Sequence, residues 1–147
     1  MEVDRGAPAI AAGEIEIAAD AETVWDVMAD IDRWPSWNPD VKAASLSGPL
    51  AEGAEFRWKA GSGTIASTIR RAERPRELAW TGRTLGIDAV HVWRLEPRNG
   101  ATLVSTEESW NGLVVRLLRR PLAKMLQGAI DAGLRHLKAE AERRAAG

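Results

Sequence analysis

Residues 87–110 read IDAVHVWRLEPRNGATLVSTEESW. Asn99-Gly100 lies between two segments in which apolar and polar side chains alternate. Asn-Gly is the preferred pair for a two-residue hairpin turn, because both central residues must take positive φ. With that loop Arg98 faces Ala101. Counting back sets Leu95 against Val104, Trp93 against Thr106, His91 against Glu108 and Ala89 against Trp110. Side chains alternate faces along a strand, so these residues share one side of a sheet.

The same count extends outward. A turn at Leu85-Gly86 sets Gly82 beside Ala89, Trp80 beside His91 and Leu78 beside Trp93. A Ser62-Gly63 loop predicts Trp58 beside Ser67 and Phe56 beside Ile69. A four-residue loop over 73–76 predicts Ile69 beside Trp80 and Arg71 beside Leu78. One face therefore gathers Phe56, Trp58, Ser67, Ile69, Arg71, Trp80, His91, Trp93, Thr106, Glu108 and Trp110. The other carries Arg57, Lys59, Arg70, Arg83, Arg94 and Glu107, as a half-buried antiparallel sheet requires.

Beyond the hairpins, strands are expected over 14–17, 41–46, 54–60, 64–72, 77–84, 87–96 and 101–110, each break marked by Gly, Pro, Asn or Ser. Asp20 stands where an N-cap belongs, ahead of a helix over 21–30. That helix ends before Trp34-Pro35, since a residue preceding proline avoids the α region. After Asn111-Gly112 the period turns helical: Leu118, Leu122, Met125, Leu126, Ile130, Leu134 and Leu137 form an apolar stripe. The order is strand, helix, long meander, long helix. It predicts an α+β fold whose sheet wraps the terminal helix.

Composition bounds the chemistry. A chain of 147 residues, 45% hydrophobic, fits one domain with a real core. We expect residues 1–12 to be a flexible arm and residues 13–147 the single domain. No cysteine is present, so disulfides and thiolate chemistry are excluded, and two histidines do not make a multi-histidine zinc site. No metal and no cofactor is expected. A net charge of −1 provides no global field for nucleic acid. No secretory signal and no membrane-spanning run is present, so a cytoplasmic protein without stable membrane insertion is expected. Arg116, Arg119, Arg120 and Lys124 form a basic cluster at the start of the last helix, read as a solvated face. Seven of the eight aromatic residues are tryptophan.

The helix AETVWDVMADIDRWPSW, the run WNPDV, the strand AVHVWRLEP and the ending TEESWNG resemble the SRPBCC (START-like) superfamily, and within it the polyketide cyclase/dehydrase-like group. The likeness runs from about Gly13 to Arg143. It implies a helix-grip fold: a curved seven-stranded antiparallel sheet around a long C-terminal helix, with a hydrophobic cavity between them. Members include carriers of lipids and hormones, aromatic cyclases and co-chaperone domains. The resemblance names no catalytic residue.

Three functions follow as expectations. The first is binding of a small hydrophobic molecule, lipid-like or aromatic and polycyclic. Its contacts would be Trp58, Ser67, Ile69, Arg71, Trp80, Trp93, Thr106 and Trp110 from the sheet, with Ala129 and Gly133 from the helix. The second is a polyketide cyclase or dehydratase in which His91 moves a proton and Glu108 orients it. The third is a co-chaperone-like interaction domain. His91 and Glu108 are equally a satisfied pair that closes the lining, and the tryptophans equally a filled core. Trp34 and Trp37 are either a lid or the anchor of their proline-bounded turn. Exposed sheet edges leave monomer and homodimer both open.

Overall fold

The hairpin at Asn99-Gly100 frames the computed structural model, which describes residues 1–61 and 63–147. Seven strands are formed: β1 (Ala9–Ile17), β2 (Val41–Leu46), β3 (Glu55–Ala60), β4 (Gly63–Glu73), β5 (Glu77–Thr84), β6 (Ile87–Arg98) and β7 (Ala101–Asn111). They pair antiparallel in the order β1-β7-β6-β5-β4-β3-β2. Helices α1 (Ala21–Ala29) and α2 (Trp34–Trp37) connect β1 to β2, with a 3₁₀ turn at Ile31–Arg33 between them. Helices α3 (Leu113–Leu117) and α4 (Arg119–Ala146) follow β7. The sheet curves around α4, which makes this a helix-grip α+β fold.

Local chemistry accounts for the frame. Asn99 and Gly100 have φ of 52° and 82°, the positive values that a type I′ turn needs, and β6 and β7 pair in the expected register. Leu85 and Gly86 close β5 on β6 in the same way, with φ of 48° and 77°. Asp20 caps α1 by accepting the Thr23 N–H at 2.8 Å. Gly112, at φ +133°, has no room for a side chain: a β-carbon there would lie 2.1 Å from the Gly86 carbonyl oxygen. That contact ties the start of α3 to the β5–β6 turn.

Three expectations are corrected. Phe56 pairs with Ser67 and Trp58 with Ile65, two positions from the expected register. Ala60 pairs with Gly63 and Gly61 takes φ +65°, so the chain reverses one residue earlier than the Ser62-Gly63 loop supposed. Ser62 itself lies outside the described residues. A shift of two preserves the faces. Second, Ile69 does face Trp80, but a bulge before Arg71 sets Arg71 against Ala79 and Ala72 against Leu78. The extra residue turns Arg71 off the inner face, where it pairs instead with Glu73 at 2.8 Å and Glu77 at 3.4 Å. Third, the terminal stripe is narrower than expected. Leu126, Ile130, Leu134 and Leu137 are buried, whereas Leu118 and Met125 are exposed. Met125 and Ala129 sit one turn apart on the side of α4 that faces away from the sheet, and Leu118 belongs to the α3–α4 junction.

β1 begins at Ala9, so residues 9–12 are paired with β7. Ahead of them Val3 is buried against Ala79 and Val92 on the outer face, and the Asp4 N–H donates to Ser109 Oγ. The free edge of β1 is closed by α4: Gln127 and Lys138 donate to the Ala12 and Glu16 carbonyls, and Glu142 accepts the Ala18 N–H. That edge offers few groups to another strand. Among the described residues no helix is long and apolar enough to cross a membrane.

Candidate functional site

The inner faces of β5, β6 and β7 bring together the polar residues read from the sequence. His91 faces Glu108 across β6–β7 and Trp80 across β5–β6, and Trp93 faces Thr106. His91 lies between Trp80 and Trp93, with ring centroids 4.8 and 5.2 Å away. Thr106 is buried, and the Glu108 side chain is nearly so.

These side chains form two short runs of hydrogen bonds that meet at an unbonded contact between Glu108 and His91 Nδ1. Trp110 Nε1 donates to Glu108 Oε2 at 2.9 Å, and Glu108 Oε1 lies 3.1 Å from His91 Nδ1. His91 Nε2 lies 2.9 Å from Thr106 Oγ1, which donates to the Val92 carbonyl at 3.0 Å. Both ends have fixed polarity, because an indole nitrogen only donates and a carbonyl only accepts. The Thr106 proton is committed to Val92, so His91 Nε2 carries a proton and donates it. Burial pushes the Glu108 carboxyl up to about 7 and the His91 imidazole down to about 3. The uncharged pair is therefore favoured: a protonated Glu108 beside a neutral His91. Only Nε2 is hydrogen-bonded; Nδ1 is buried 3.1 Å from Glu108 Oε1 without a hydrogen-bond partner.

A second aromatic group lies further along the sheet. Trp34, from α2, inserts among Phe56, Trp58 and Trp80, with centroids 5.4–5.5 Å away. Its indole N–H donates to the Met28 carbonyl at 2.9 Å. Trp34 is thus an anchor of its turn and not a lid, while Trp37 is partly exposed. Trp58 donates to Ser67 Oγ at 3.1 Å. Ile69 is fully buried beside this cluster.

On the opposite wall the two helical residues part company. Gly133 faces Trp93: a β-carbon built there would lie 3.9 Å from Trp93 Cη2. Ala129 is exposed and does not join the buried row, because it lies roughly 100° around the helix from that row. At 3.9 Å an alanine methyl fits without displacement. Gly133→Ala should therefore raise stability by up to about 1 kcal/mol, read by urea denaturation, because glycine in a helix interior is conformationally costly.

Sequence reading missed one feature of the site. The Trp93 indole nitrogen is buried and makes no hydrogen bond, and the same holds for His91 Nδ1 and Trp37 Nε1. A buried unpartnered N–H costs on the order of 1–3 kcal/mol. Only packing reveals which of several indoles is left without an acceptor. Two hollows, about 660 and 430 Å³, open on the outer face and outer edge of the sheet, and neither is lined by His91 or Glu108. The first is bordered by outward residues such as Arg57, Arg70, Thr81 and Arg83, the second by Arg71, Glu73 and Arg94. Among the described residues no group of three His, Asp or Glu is placed to hold a metal ion.

Solved structures share this architecture. A hypothetical protein from Helicobacter pylori superposes with a TM-score of 0.82 at 16% identity, covering 93% of this chain and 90% of that one. The Zhui aromatase/cyclase from Streptomyces sp. R1128 gives 0.77 at 19% identity, covering 94% and 97%. A START superfamily protein from Mycobacterium smegmatis gives 0.63 at 19% identity, covering 83% and 97%. At these identities the likeness establishes the fold. No curated protein sequence matches the chain. The family model described as polyketide cyclase / dehydrase and lipid transport matches residues 9–142, from the first strand almost to the end of α4, and this chain belongs to that family.

Proposed function

We propose that this protein binds a small, largely hydrophobic molecule that carries an oxygen acceptor, held on the inner face of the sheet against α4. The observation that carries the reading is the unpartnered Trp93 indole N–H, buried beside His91 and opposite the missing side chain of Gly133. A ketone or phenolic oxygen on a flat ligand would accept that proton while the ring stacks among Trp80, Trp93 and Trp110. The family's description, which joins cyclisation, dehydration and lipid transport, is compatible with such a ligand.

His91 Nε2 is committed to Thr106 and Nδ1 is buried against Glu108, which favours binding over proton transfer. To act as a base, His91 must first break its bond to Thr106 or move Nδ1 away from Glu108. One observation supports a cyclase or dehydratase as the second reading. The Glu108 carboxyl keeps its proton up to about 7, in the range a general acid needs.

The test is a matched pair of probes, fluorenone and fluorene, titrated against tryptophan fluorescence. Fluorenone should bind about tenfold more tightly, the value of one buried hydrogen bond. Trp93→Phe should abolish that preference and leave fluorene binding unchanged. If the ketone preference survives in Trp93→Phe, Trp93 is not the donor and the reading fails.

A further inference from the structure

The largest exposed apolar side chains gather at one end of the grip. Leu85, Leu113, Leu117, Leu118 and Met125 are 49–74% exposed. Leu85 lies on the β5–β6 turn, Leu113 and Leu117 on α3, Leu118 at the α3–α4 junction and Met125 in the second turn of α4. The close approach of Gly112 to the Gly86 carbonyl puts the turn and α3 side by side. These residues therefore form one patch, contributed by the β5–β6 turn, α3 and the start of α4.

Neither the turn nor the core accounts for it. Leu85 holds φ +48°, a conformation that asparagine or glycine adopts at lower cost, and its side chain covers little of the interior. α3 buries only Val115 and leaves two of its three neighbouring leucine and valine positions, Leu113 and Leu117, in water. Scattered exposed leucines are ordinary, whereas a contiguous group at one end of a fold marks a contact surface.

Charge specifies what that surface meets. Arg116, Arg119, Arg120 and Lys124 are interleaved with the leucines and exposed, and none has an ion-pair partner among the described residues. From Ser109 to Ile130 the sequence has no acidic residue at all. Leucine and methionine tips rimmed by unpaired cations, on a chain of net charge −1, complement an anionic lipid surface: apolar tips enter the acyl boundary while cations meet the headgroups.

We infer that the α3–α4 junction and the β5–β6 turn dock this protein reversibly on an anionic bilayer. The docking does not depend on the ligand reading above, since its residues lie outside the inner face. Cosedimentation with vesicles of phosphatidylcholine alone, and of phosphatidylcholine with about one-third phosphatidylglycerol, tests it. The native protein should sediment with the anionic vesicles, and less so as salt is raised.

Arg119→Gln/Arg120→Gln should weaken partitioning by about 25-fold, at roughly fivefold per cation. Leu113→Ser/Leu117→Ser should weaken it by at least about tenfold. Lys42→Glu/Lys59→Glu, on exposed positions elsewhere, should leave it unchanged. All six positions are exposed, so far-UV circular dichroism should be native in each variant. No binding to anionic vesicles, or equal loss in the Lys42/Lys59 control, would overturn the inference. So would self-association that the leucine substitutions abolish without any vesicle binding, because the occupant is then a second copy of this chain.

Discussion

Glu108→Gln is expected to match the native protein in stability near pH 4 and to exceed it by about 3 kcal/mol above pH 7. Glutamine reproduces the uncharged carboxyl: its oxygen accepts from Trp110 Nε1 and its amide nitrogen takes the place of Oε1, 3.1 Å from His91 Nδ1. The folded Glu108 keeps its proton up to about 7, against an ordinary value of 4.5. Between these values the folded state binds more protons than the unfolded state, so stability falls as pH rises through the window and then levels off. A shift of this size corresponds to roughly 3 kcal/mol, and glutamine has no proton to lose.

His91 acts in the opposite sense. Its folded value is lowered to about 3 from 6.5, so the unfolded state binds the extra proton in that interval and stability rises with pH. In the native protein the two contributions cancel between about 4.5 and 6.5 and leave a plateau that falls on either side. In Glu108→Gln only the rise to about pH 6.5 remains. Urea denaturation over a pH series reads both profiles. If the glutamine variant is the less stable at every pH, the proton resides on His91 and Glu108 is ionised. Glu108→Ala, by contrast, strands the Trp110 donor and opens a void beside His91, and should cost on the order of 1–3 kcal/mol at any pH.

Trp34→Ala should be the most damaging single change among the tryptophans, at about 3–5 kcal/mol. The ring fills the space among Phe56, Trp58 and Trp80, and its N–H satisfies the Met28 carbonyl at the end of α1. Its loss removes the attachment of α2 to the sheet and leaves an apolar void. A void of that kind stays dry, so benzene should bind it and restore part of the lost thermal stability. Trp37→Ala, at a partly exposed position of the same short helix, should cost less than half as much. Comparable losses at the two positions would mean that α2 acts as one rigid plug and Trp34 is no special anchor.

Much of this was legible in the linear sequence because it is encoded by neighbours. Asn99-Gly100 and Leu85-Gly86 set their own turn geometry, and strict alternation then carries each register along two strands. His91, Trp93, Thr106, Glu108 and Trp110 could therefore be placed on one face without coordinates. The bulge that removes Arg71 from that face left no comparable trace. It depends on how β4 fits β5 through a turn that carries no Asn-Gly signal. The exposure of Ala129 and Met125 was equally hidden, since a helix's apolar period identifies a stripe but not where the sheet ceases to cover it.

The sequence by itself thus determined the fold class, the two central hairpins and the company that His91 keeps, because strand period and turn chemistry are local. Tertiary structure alone decided how that company is wired. Which nitrogen meets which oxygen, which indole is left without an acceptor and which leucines remain in water are set by contacts between residues far apart in the chain. Those contacts turn a reading of an acid–base pair into an uncharged contact between two hydrogen-bonded side chains, with His91 Nδ1 and Trp93 Nε1 left unpartnered.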